Sequence, residues 1–227
     1  MGGAFSTTLA VGPRRGRRGA GLADRSSNDL GVVTAFPRAY ATDETLIRGV
    51  RRREPEAARA LYQRFARLVN RLVWRIMGAD QEHDDVVQEA FINVISSIGG
   101  VRDPSALEIW VSAVAVNTAR REIRKRKVLG IFHLGHDAVE DDRQAVGSEQ
   151  MLVSRRFYDV LDALRTDDRI VLTLRYVEGM ELAPIASVTG CSVATVKRRI
   201  AHARAVFERR ARRDPVLASM IGGTTDE

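Results

Sequence analysis

The sequence predicts an all-α protein: two small helical domains joined by a flexible linker, the C-terminal one containing a helix-turn-helix. Three observations carry this. Apolar residues recur at helical spacing from Thr42 to Lys127, and no hairpin signal interrupts them. The pattern stops at a glycine-bearing, acidic stretch, residues 128–148, and resumes beyond it. Finally, the run from Glu181 to Ile200 sets Gly190 and Ser192 between two short helical patterns.

Taken in order, residues 1–41 are rich in Gly, Ala, Ser and Arg without sustained periodicity, which predicts a disordered basic arm. Residues 42–127 form the first helical domain. Thr42 and Asp43 cap a helix carrying Leu46, Ile47 and Val50. Pro55 opens a second, whose broad apolar face takes in Ala57, Ala58, Leu61, Tyr62, Phe65, Leu68, Val69, Leu72, Val73 and Ile76, and Gly78 ends it. A third runs from Glu82 to Ile98, with Val86, Val87, Ala90, Phe91, Val94, Ile95 and Ile98 as its buried stripe. Gly99-Gly100 break the chain, and a fourth helix, from about Ala106 to Lys127, ends in strongly basic turns.

Beyond the 128–148 linker, residues 149–213 form the second domain, and 214–227 read as a short tail. One helix carries Phe157, Val160, Leu161 and Leu164. Thr166 caps the next, with Ile170, Val171, Leu174 and Val177. In the helix-turn-helix, Pro184 is read as opening a short first helix with Ile185, Ala186 and Val188 inward. Gly190 stops it and Ser192 caps the second. Val196, Ile200, Ala203 and Phe207 form that helix's inner stripe, which leaves Thr195, Lys197, Arg198 and Arg199 on or beside its outer side, near the N-terminal end. A recognition helix presents that end to the major groove of duplex DNA. An ordinary helical hairpin with a solvated basic face is the alternative.

Composition agrees. Of 227 residues, 44% are hydrophobic and 29% charged, and the net charge of +7 favours polyanionic partners. Basic residues cluster at Arg14–Arg18, Arg120–Lys127 and Lys197–Arg213, whereas acidic ones gather between Asp137 and Glu149. No apolar stretch approaches the length that crosses a bilayer, so no membrane insertion is expected. The single cysteine, Cys191, excludes an intrachain disulfide framework and suits a reducing cytoplasm.

Two further clusters belong to the first domain. Asp85, Gln88, Glu89 and Asn93 stand largely outside the third helix's buried stripe, as an acidic-polar ridge suited to a basic protein surface. On the fourth helix, Trp110, Asn117 and the cations Arg120, Arg121 and Arg124 combine an aromatic, an amide and positive charge, a platform on which single-stranded DNA can stack and pair. Core packing is the competing role for Trp110.

Together these segments resemble the extracytoplasmic function (ECF) group of RNA polymerase sigma factors. Asp85-Val-Val-Gln88-Glu89-Ala-Phe91 looks like that family's polymerase-binding motif, Trp110 to Asn117 like its promoter-melting segment, and Leu172 to Gly179 with Thr195-Val196-Lys197 and Arg199 like its C-terminal DNA-binding domain. The likeness extends from Thr42 to Arg213. It departs at Pro184, where glutamate is usual, at His202 and Val116, where arginine is common, and at Ile95, where tryptophan is common.

The resemblance implies a cytoplasmic initiation subunit, associated with the nucleoid when in holoenzyme, with no catalytic centre, metal or cofactor of its own. Its partners would be core RNA polymerase, promoter DNA (duplex and melted strand) and an anti-sigma factor. Asp85, Gln88, Glu89 and Asn93 would bind polymerase. Ser192, Thr195, Lys197, Arg198, Arg199 and His202 would bind the minus-35 element, with Lys197 and Arg198 in the major groove and Thr195 and Arg199 on phosphates. Trp110, Asn117, Arg120, Arg121 and Arg124 would melt and read the minus-10 element.

Three other readings remain open at this level. A conventional helix-turn-helix regulator with a helical sensor domain is the main alternative, and copurification with core polymerase separates the two. The His83-Asp84 and His136-Asp137 pairs admit a metal-dependent hydrolase, with Glu82, Asp85 and Glu89 beside the first. The acidic linker, through Asp137, Glu140, Asp141 and Asp142, is also expected to mask basic surfaces in the free protein.

Overall fold

The computed structural model describes residues 38–78, 82–129 and 148–222. Most of the basic arm, and the linker with His136 and its acidic side chains, lie outside the described residues. Nine helices run through those residues, with no strand: α1 (Asp43–Arg51), α2 (Pro55–Met77), α3 (His83–Ser97), α4 (Leu107–Val128), α5 (Ser148–Asp162), α6 (Thr166–Tyr176), α7 (Leu182–Thr189), α8 (Val193–Ala211) and α9 (Pro215–Gly222). No helix among them is long and apolar enough to cross a membrane.

Local chemistry sets most boundaries. Thr42 accepts from the Thr45 amide at 3.2 Å, while the Thr45 hydroxyl reaches back to the Thr42 amide, a reciprocal cap at the start of α1. Pro55 stands at the first position of α2, where its missing N–H is no loss. Gly78 closes that helix at φ 83°, where a Cβ would also meet the Tyr158 ring.

Four details differ from expectation. Thr166 is the first residue of α6 rather than its cap, and Arg165 takes the cap position without a side-chain bond. Helix α7 begins at Leu182, two residues before Pro184. Proline fits there because the first four amides of a helix have no intrahelical acceptor anyway. Tyr62 and Ile95 are surface residues, since the contacts of α2 and α3 fill a narrower stripe than their apolar pattern suggests. Residues 215–222, within the expected tail, form α9, whose Leu217 packs with Val160 and Ala211.

In the first domain α2 packs on α3 and α4, and α1 on the start of α2. Leu61, Val69, Val73, Ile76, Val94, Val111 and Ala115 are fully buried there. In the second, α6, α7 and α8 enclose Ile170, Leu174, Ile185 and Val196. Each large side chain removed from water contributes about 1.5–3 kcal/mol before entropy is counted. The two domains are not independent bodies joined only by a linker. Helix α4 lies against α6 and α7, α2 touches α6, and one continuous apolar cluster runs through both domains.

Candidate nucleic-acid interface

Helices α7 and α8 are joined by a tight turn at Gly190, Cys191 and Ser192. Gly190 takes the left-handed conformation, φ 68° and ψ 34°, and the Cys191 amide donates to Ala186 O at 3.1 Å. The Ser192 hydroxyl accepts from the Thr195 amide at 3.2 Å, capping α8. Ser192→Ala should therefore cost about 1 kcal/mol, read from chemical denaturation, with the largest loss of order at the start of α8.

Val196 and Ala203 are fully buried, and they fix the rotation of α8. Lys197 and Arg198, one and two positions past Val196, face solvent with no ion-pair partner among the described residues. Thr195 is half-buried, its hydroxyl 2.9 Å from that of Ser192. His202 is exposed, but its Nδ1 lies 2.9 Å from Asp168 Oδ2.

Arg199 is placed differently. Its guanidinium binds Asp167 Oδ2 at 3.1 Å, and Asp167 also holds two cations of the first domain. Arg120 Nε lies 3.1 Å from Asp167 Oδ1, and Arg124 donates to both carboxylate oxygens at 3.2 Å. Three arginines expected on DNA phosphates thus converge on one carboxylate in this structure. Arg120 also donates to Thr189 O at 3.4 Å and to Asn117 Oδ1. Burial pushes its guanidinium pKa down, against the opposing pull of Asp167.

Along α4, Trp110, Asn117, Arg121 and Arg124 repeat at seven, four and three positions, and so share one stripe. Trp110 is half-buried against the core, whereas Asn117 and Arg121 are exposed. On α3, Asp85, Gln88 and Glu89 face solvent, with Glu89 3.7 Å from Arg121. Asn93 is not part of that exposed ridge: it is half-buried and donates to Thr118 Oγ1 at 3.2 Å, so it ties α3 to α4. His83 is buried, edge-on to Trp74, with Nε2 2.8 Å from Asn70 Oδ1. No metal-holding group of His, Cys, Asp and Glu occurs among the described residues.

The residues that unite the two domains were not legible as a group. Arg169 is buried to 2% exposure and donates to Ile76 O at 2.8 Å, Met77 O at 3.1 Å and Asp162. Arg71 and Arg75 of α2 pair with Glu178 at 2.7 and 3.0 Å, and Lys127 donates to Leu164 O. The sequence signal is weak: Asp167-Asp168-Arg169 puts three charges at the start of α6, ahead of its apolar run from Ile170.

Comparison with known proteins adds the following. Residues 61–128 match the model for Sigma-70 region 2, and residues 154–206 that for Sigma-70, region 4. The chain is 32% identical over 178 residues to the ECF RNA polymerase sigma-E factor of Haemophilus influenzae, covering 74% of this chain and 94% of that protein. It is 29% identical over 180 residues to the RNA polymerase sigma-H factor of Pseudomonas aeruginosa, covering 74% and 92%. The solved structure of CnrH in complex with the cytosolic domain of CnrY shares the fold, with a TM-score of 0.54 and 22% identity over 76% of this chain and 98% of that one.

Proposed function

Because this chain belongs to the sigma-70 family, in its extracytoplasmic function group, we propose a division of labour between its two domains in promoter-specific initiation. Residues 149–213 read the minus-35 element. Residues 42–127 dock on core polymerase and melt and read the minus-10 element. The reading rests above all on Lys197 and Arg198, two cations without an ion-pair partner among the described residues, at the exposed start of a capped recognition helix. They suit hydrogen bonding to base edges in the major groove, while Ser192, Thr195, Arg199 and His202 lie close enough to meet flanking phosphates. On α4, Asn117 bonds an extruded base, Trp110 supports the stack, and Arg121 and Arg124 hold the strand.

Polymerase docks on the exposed side chains of Asp85, Gln88 and Glu89, where charge complementarity sets orientation and association rate. Asp85→Lys should weaken binding to core polymerase about tenfold at low salt without changing helix content. Unaltered polymerase affinity would remove Asp85 from the docking surface. A structural relative held in complex with another protein's cytosolic domain supports a controlling protein partner, an anti-sigma factor, for this chain too. Holoenzyme formation places the protein on the nucleoid, in the cytoplasm. Run-off transcription with purified core polymerase tests the whole reading: accurate initiation that requires this chain supports it. Failure to bind polymerase at all would return the chain to the class of conventional regulators.

A further inference from the structure

We infer that Asp168 and His202 form a proton-linked phosphate clamp on the recognition helix. Asp168 holds the ring, and the ring takes up a second proton as a DNA phosphate meets its outer nitrogen. The inference deepens the minus-35 reading proposed above and rests on it. His202 Nδ1 lies 2.9 Å from Asp168 Oδ2, with the carboxylate side chain 9% exposed and the imidazole 58% exposed. A carboxylate so far out of water needs a donor. Nδ1 therefore carries its hydrogen toward Asp168, and Nε2 is the nitrogen left on the solvent side. Among the described residues no other anion on the helices packed against α8 is set against the ring. On α6, Asp167 is taken by Arg199; on α5, Asp162 is taken by Arg169 and Asp159 faces Arg156. Helices α7 and α9 carry no charged side chain. The neighbouring cations, Arg198 one turn earlier on α8 and Arg165 just ahead of α6, are exposed.

Position along the helix selects the ligand. His202 stands nine residues past Val193, the first residue of α8, which is about 14 Å along the axis. The major groove is about 12 Å wide. When the first turns of α8 reach base edges, this position is therefore level with the phosphates of the groove wall. A neutral ring with Nδ1–H on Asp168 offers a phosphate only a lone pair at Nε2, which the anion repels. A ring protonated at Nε2 donates to it and sits between two anions, one from α6 and one from the duplex. Binding takes one proton from solvent, so the sign is fixed: duplex affinity is highest in acid and falls as pH rises.

The test uses holoenzyme, the full chain with core polymerase, on a promoter fragment that supports run-off initiation. Binding is measured from about pH 6 to about pH 8, the range in which histidine changes charge. Parent affinity should fall about tenfold across that range relative to His202→Arg, whose charge is permanent. His202→Gln should be flat relative to His202→Arg, and at the acid end its salt-dependence slope should be lower than the parent's by about one. Asp168→Asn, which keeps the shape and removes the charge, should lose most of the pH response while circular dichroism shows the same helix content. The two His202 variants change an exposed side chain, so they carry the test even if Asp168→Asn does not fold. A parent response no steeper than that of His202→Arg overturns the clamp and leaves the recognition-helix reading standing. An unaltered salt slope in His202→Gln overturns the phosphate as the ligand, and a full pH response in folded Asp168→Asn overturns Asp168 as the positioning residue. If scrambling the minus-35 bases leaves binding and initiation unchanged at every pH, the minus-35 reading itself fails and the clamp falls with it.

Discussion

Lys197→Ala combined with Arg198→Ala should abolish promoter-specific run-off transcription, by roughly 100-fold or more, while polymerase binding stays intact. Each good base contact in the major groove contributes about 1–3 kcal/mol of discrimination, so losing two removes most of the preference for one element. Neither side chain touches the core, since Val196 and Ala203 carry the packing of α8, so the fold should be unaffected. Electrophoretic retention with core polymerase and run-off transcription, measured on the same preparation, separate the two effects. Wild-type initiation from the double variant would remove these residues from recognition.

Arg169→Ala should produce the largest loss of stability of any single change to a charged side chain. The guanidinium is almost wholly inside the protein, and burial pushes its pKa down to about 10, which still leaves it charged at neutral pH. Removing it strands Asp162 and the carbonyls of Ile76 and Met77 at the end of α2. Breaking a buried, hydrogen-bonded charge in this way costs about 3–5 kcal/mol. For a chain of this size that corresponds to a fall in thermal midpoint of roughly 10 °C. Calorimetry checks it, with Arg169→Lys expected to recover only part of the loss because an ammonium lacks the fork. A midpoint within about 2 °C of the parent would show that the buried network contributes little.

The contrast between these two residues shows what could be read from the sequence. Lys197 and Arg198 were legible because their exposure follows from local periodicity and from a cap and a glycine within eight residues of them. The same local logic located Thr42, Pro55, Gly78, Gly190 and Ser192, and so five of the helix ends. Arg169 was not legible, because the two carbonyls it holds lie 92 and 93 positions away and burial of a cation runs against composition. Asp167 was hidden for the same reason, with Arg124 43 positions off. Tyr62 and Ile95 illustrate the converse. A stripe can be wider than the neighbours that cover it, and nothing local says where coverage ends. Asn93 lies on the same side of α3 as Glu89 yet serves α4, because its partner Thr118 is 25 positions away and nothing local announces it.

The apolar cluster that crosses from one domain to the other carries a consequence for fragments of this chain. Cleavage within residues 130–147 would leave each half with a greasy strip that its other half normally shields, along α4 on one side and along α6 and α7 on the other. Such halves should recombine when mixed, and each alone should be prone to clump. In the intact chain the shield stays tethered, so each strip is covered again faster than two molecules can meet.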